Sequence, residues 1–173
     1  MADGRLAGAY ALGTDDGEAI WLQGGLCLIK VTGEQTGEQF ALTEQLMPRG
    51  MSTPIHVQPD EDEVFYVLDG ELTFYLDGEL IAGPAGMLVC IPRGAAHGFR
   101  VESETARFIV LNTPAGHERW FRAAGEPARS RTIPAEPLDE EKVAAASRAF
   151  GYGYLGPFPA DTGERGAGPR GAR

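Results

Sequence analysis

Apolar and polar positions alternate with a period of two over most of residues 19–115, as expected where successive side chains point to opposite faces of a sheet. Residues 20–22 and 26–31 read as strands separated by Gly24-Gly25, and residues 39–47 as another. Residues 63–68 lead into Asp69-Gly70, and residues 71–76 into Asp77-Gly78. Asp-Gly between alternating apolar runs is a strong short-range hairpin signal, because glycine accepts the positive φ of a twist-matched tight turn. Residues 87–91, 97–101 and 107–111 complete the series. Many short strands without intervening helices predict an all-β sandwich or barrel.

The pattern changes after Pro114. Residues 116–124, with Trp120 and Phe121, read as a short helix or irregular segment. Asp139 is a plausible N-cap for an Ala-rich helix that ends near Phe150, with Glu140 and Glu141 in its first turn and Gly151 past its end. Residues 152–159 read as a flap that packs its aromatic side chains on the barrel, and residues 162–173 as a disordered tail. The expected organisation is an N-terminal arm over 1–18, a β-barrel over 19–115, a C-terminal helical extension over 116–160 and a tail over 161–173.

Composition narrows the function. The 173 residues carry 15 Lys+Arg against 25 Asp+Glu, a net charge of −10, which argues against nucleic acid and against anionic membrane surfaces as partners. No apolar run approaches the roughly 18 residues of a membrane span, and no basic-then-apolar leader opens the chain. Cys27 and Cys90 belong to no CxxC or Cys/His cluster, so a soluble cytoplasmic protein with two free thiols is expected.

Only three histidines are present, which makes the search for chemistry short. On strands, His56 and Gln58 share one face, Glu63 shares one with Phe65 and Val67, and His97 shares one with Phe99 and Val101. If those faces point inward, two imidazoles and a carboxylate meet beside an apolar wall, the composition of a metal site with a small-molecule pocket around it. Spacing alone leaves hydrogen-bonded structural histidines as the other reading. Asp60, Glu61 and Asp62 read as a solvated acidic turn, and His117 as a residue at or just below the surface. Arg93 and Arg100 are candidates to meet an anionic substrate.

Two segments resemble the paired signatures of the cupin superfamily. Gly50, His56, Glu63 and Gly70 match the first in place, with Gln58 where a second histidine is expected. Gly86, Pro92, Gly94 and His97 match the second, and Val101 stands where an asparagine is often found. The run from Glu63 to Glu71, the Pro114–Phe121 segment and the C-terminal helix followed by Leu155-Gly156-Pro157-Phe158-Pro159 are similar to the single-domain quercetinase-like branch. The resemblance implies a jelly-roll barrel with a short C-terminal helix, usually a homodimer. It also implies one divalent transition metal (Fe, Mn, Ni, Co, Cu or Zn) held by His56, Glu63 and His97, with Gln58 as a fourth ligand, turned away, or leaving an open position. Amide oxygen is a weak donor beside imidazole. Phe65, Val67, Phe99 and Val101 are the expected pocket lining.

The leading expectation is a dioxygenase acting on a flavonol-, phenol- or enol-like small molecule, with O2 as cosubstrate and Glu63 as general base. The alternatives are a redox-neutral metal-assisted cyclase, isomerase or lyase, and a non-catalytic barrel that binds a small ligand.

Overall fold

The computed structural model describes residues 8–135 and 139–160, and the alternating stretch folds there into two antiparallel sheets. In chain order the elements are β1 (Glu18–Leu22), β2 (Gly25–Val31), the single turn α1 (Gly33–Thr36), β3 (Ala41–Pro48), β4 (Ile55–Val57) and β5 (Asp62–Asp69). They continue with β6 (Glu71–Leu76), β7 (Glu79–Pro84), β8 (Leu88–Ile91), β9 (His97–Val101) and β10 (Thr105–Thr113). The chain then forms α2 (His117–Ala124), β11 (Glu126–Pro127), α3 (Glu140–Ala149) and β12 (Gly153–Gly156). One sheet runs β11-β1-β2-β3-β10-β5-β8 and the other β12-β4-β9-β6-β7. Successive strands such as β5 and β6, or β8 and β9, fall in different sheets, which gives the jelly-roll barrel.

Period two is realised strictly where a strand has one face on the core. Buried and half-buried positions alternate along all eight residues of β3 and all nine of β10. The inward faces meet in a cluster of Phe65, Phe74, Phe99 and Phe108, whose ring centroids lie 5.2–6.5 Å apart. Val67, Leu72 and Val101 fill the space beside them. Each such side chain contributes roughly 1.5–3 kcal/mol on leaving water.

The two Asp-Gly pairs do different jobs. Asp77-Gly78, at φ +46° and +103°, closes the β6–β7 hairpin, with Leu76 opposite Glu79. Asp69-Gly70 is not a hairpin, because β5 pairs with β10 and β8 while β6 pairs with β7 and β9. It is a corner where the chain crosses between sheets. Gly70 has φ +79°, and a Cβ there would lie 2.4 Å from the Thr105 carbonyl and 2.5 Å from Ser103 Oγ.

The expected helices are present. The Asp139 side chain accepts from Lys142 N at 2.9 Å to cap α3, and Gly151 follows its end at φ +72°. Trp120 Nε1 donates to Ser147 Oγ, joining α2 to α3. The flap is only partly packed: Tyr152 is half-buried, whereas Tyr154 and Leu155 are exposed, because β12 adds an outer strand alongside β4. The tail expected over 161–173 lies outside the described residues, as do residues 1–7 of the expected arm. Among the described residues no helix is long and apolar enough to cross a membrane.

Candidate functional site

Three strands carry the candidate residues toward one interior. His56 on β4 and His97 on β9 are cross-strand partners in the five-stranded sheet, with ring centroids 4.3 Å apart. Glu63 on β5 faces them from the seven-stranded sheet, its Oε2 lying 3.0 Å from His97 Nε2. Gln58, just past β4, is buried, with Nε2 3.5 Å from His56 Nε2. All four line a cavity of about 850 Å³ together with Phe65 and Phe99. Val67 and Val101 do not line it. They share the inward faces of β5 and β9 but lie in the packed core, so the wall is aromatic rather than aliphatic there.

Local bonds decide which nitrogen each histidine presents. His56 Nδ1 donates to the Pro54 carbonyl and His97 Nδ1 to the Ala95 carbonyl, both at 2.9 Å. A carbonyl only accepts, so each Nδ1 carries a proton, and His97 Nε2 lies toward the Glu63 carboxylate while His56 Nε2 lies beside the Gln58 amide. Burial lowers the His56 pKa, and the neighbouring His97 lowers it further. Burial also disfavours charge on His97, but contact with Glu63 outweighs it and the pKa rises. For Glu63, burial alone would raise the carboxyl. His97, His117 and the Asn112 amide overcome that and hold it at about 2. Asn112 Nδ2 donates to Glu63 Oε1 at 2.8 Å.

The donor set fits a divalent metal. His97 Nε2 is buried 3.0 Å from Glu63 Oε2, and Gln58 Oε1 is buried without a partner. A nitrogen lone pair facing a carboxylate at that separation is repulsive unless a proton or a cation lies between them. Imidazole nitrogens with one carboxylate suit first-row transition ions. Among the described residues no group of three or more His, Cys, Asp or Glu side chains is placed as it stands to hold a metal ion.

The structure changes the standing of several other residues. His117 is not a surface residue: it is 7% exposed, lines the same cavity, and has Nε2 3.9 Å from Glu63 Oε1. Its Nδ1 is bonded to the Tyr152 hydroxyl at 2.7 Å, and burial drives its pKa down to about 4. The signal for it is local, since His117, Trp120 and Phe121 fall at i, i+3 and i+4 on one helix face. Asn112 and Tyr152 have no such signal. Nor is Glu61 part of a solvated turn: it is 6% exposed with Oε2 unpartnered, and burial, then the Glu63 and Asp60 charges, lift its carboxyl to about 7. Arg93 is engaged by Asp62, at 2.7 Å, rather than held out for an anion. Arg100 pairs with Glu102 at 2.9 Å and lies over the Phe158 ring.

Comparison with known proteins agrees with this architecture. Residues 42–112 match the family described as Cupin domain. Over 128 residues the chain is 27% identical to the quercetin 2,3-dioxygenase of Bacillus subtilis (strain 168), a stretch covering 74% of this chain and 38% of that protein. The chain thus spans well under half the length of that relative. Among solved structures, KdgF from Halomonas sp. superimposes with a TM-score of 0.56 at 18% identity, over 65% of this chain and 99% of that one. The polyketide cyclase RemF from Streptomyces resistomycificus gives 0.55 at 22% identity, over 79% of this chain and 91% of that one. Both are likenesses of fold.

Proposed function

Since the cupin-domain match and the barrel neighbours support the cupin superfamily, we propose that this chain is a metal-dependent cupin enzyme, a dioxygenase of the quercetinase-like type. Its substrate is a small, largely apolar, flavonol-, phenol- or enol-like molecule. The observation that carries the reading is the His56–His97 ring pair, 4.3 Å between centroids, with the buried Glu63 carboxylate 3.0 Å from His97 Nε2, on the wall of an aromatic-lined cavity.

His56, Glu63 and His97 would hold the metal, with Gln58 Oε1 as a further oxygen donor. A bound divalent ion supplies Lewis acidity, which lowers the pKa of a coordinated hydroxyl. Glu63, the carboxylate beside the metal, would take the substrate proton as general base. Asn112, donating to Oε1, keeps the carboxylate oriented. Phe65, Phe99, Trp120 and Phe121 offer flat apolar surface to an aromatic substrate and exclude water from it.

The test is oxygen uptake with a flavonol as substrate. Turnover is expected in air, to stop under anaerobic conditions, and to be abolished by Glu63→Gln with the fold retained. Conversion that proceeds unchanged without oxygen overturns the dioxygenase assignment in favour of redox-neutral chemistry. Full rate in Glu63→Gln overturns the role given to Glu63.

A further inference from the structure

We propose that His117 is a metal-binding residue, supplying from outside both sequence signatures the imidazole that Gln58 does not. The inference rests on the metal reading above and extends its ligand set to three imidazoles and one carboxylate.

Four observations converge on it. The ring is clamped, stacked on Trp120 at 5.1 Å and 16° and meeting Phe121 edge-on at 4.6 Å, so its direction is set by packing. Nδ1 is engaged by the Tyr152 hydroxyl, which leaves Nε2 to face Glu63. All three histidines of the chain therefore line the cavity with Nδ1 tied to another group, and Nε2 of His97 and of His117 lies toward Glu63. An imidazole ligand is ordinarily held that way, its far nitrogen fixed by a second group.

Distance is the fourth. Two donors each about 2.1 Å from one ion lie between about 3 and 4 Å apart, depending on the angle between them. The 3.9 Å from Glu63 Oε1 to His117 Nε2 falls within that range, as does the 3.0 Å from the other carboxylate oxygen, Oε2, to His97 Nε2, so each imidazole is within ligand-pair distance of one oxygen of Glu63. The longer of the two is beyond hydrogen-bonding distance, so a hydrogen bond to Glu63 does not account for where the ring is aimed.

Packing alone would also bury His117, so the test removes the nitrogens and keeps the ring. Chelator-stripped protein is titrated with Co2+, affinity is read by calorimetry, and the imidazole count is read by X-ray absorption, with circular dichroism following the fold. Wild type is expected to show three imidazoles. His117→Phe is expected to show two, with affinity down ~100-fold, and Tyr152→Phe to weaken binding by about 10-fold. Gln58→His placed in the His117→Phe background is expected to restore a third imidazole. A wild-type count of two, or unchanged affinity in a folded His117→Phe, overturns the proposal and leaves the His56, Glu63, His97 site standing. If His117→Phe does not fold, the wild-type count and Tyr152→Phe decide the matter. No Co2+ binding by wild type overturns both.

Discussion

Glu63 is the residue on which most of the local structure is spent. It is buried at 3% exposure, yet burial does not neutralise it, because His97, His117 and Asn112 surround its two oxygens. Asn112 matters here because it is buried and its amide donates to Oε1. Replacing it by the similarly sized leucine leaves that oxygen without its donor. Asn112→Leu is expected to cost about 1–3 kcal/mol in chemical denaturation and to lower turnover; unchanged stability would contradict the role. The two cysteines differ just as sharply. Burial raises the Cys27 thiol far above its ordinary value, while Cys90 is exposed. One thiol should react with a disulfide reagent in the native protein and two after denaturation. Two in the native state would contradict the placement of Cys27.

Among the elements, those with a repeating signal were legible and those completed by a partner were not. The long strands β3, β5 and β10 follow from alternation, and α3 from Asp139, its acidic first turn and Gly151. β4, β11 and β12 are two to four residues long and exist because a neighbouring strand pairs with them, information absent from their own sequences. The Asp-Gly pairs show the same limit. Glycine at positive φ was readable in both, but the sheet in which the next strand would pair was not. The difference is testable, because a methyl group added at Gly78 would meet open space and one added at Gly70 would not. Gly78→Ala should cost about 1–2 kcal/mol for the backbone conformation alone. Gly70→Ala should cost clearly more, since Thr105 and Ser103 must also move. Equal melting points for the two variants would contradict the reading of Asp69-Gly70 as a close-packed corner.

At the scale of the whole molecule, the site belongs to no single element. The five-stranded sheet brings two histidines, the seven-stranded sheet the carboxylate and Asn112, and the helical extension His117, Trp120, Phe121 and Tyr152. His56, Glu63 and His97 were legible because their types and spacing match a signature. His117 was not, because it reaches the cavity through the packing of α2 and α3, and nothing in its spacing links it to the signatures. Glu61 escapes a sequence reading for a related reason, since a run of acids reads as solvated until tertiary structure covers one of them. We propose that one divalent metal held by His56, Glu63 and His97 ties these parts together. Elemental analysis of protein purified without chelator, compared with a His56→Ala/His97→Ala double variant, tests this most directly. About one transition-metal ion per wild-type chain is expected, and little in the folded double variant. A wild-type chain that takes up no metal even when loaded, or a double variant with the same content, would contradict it.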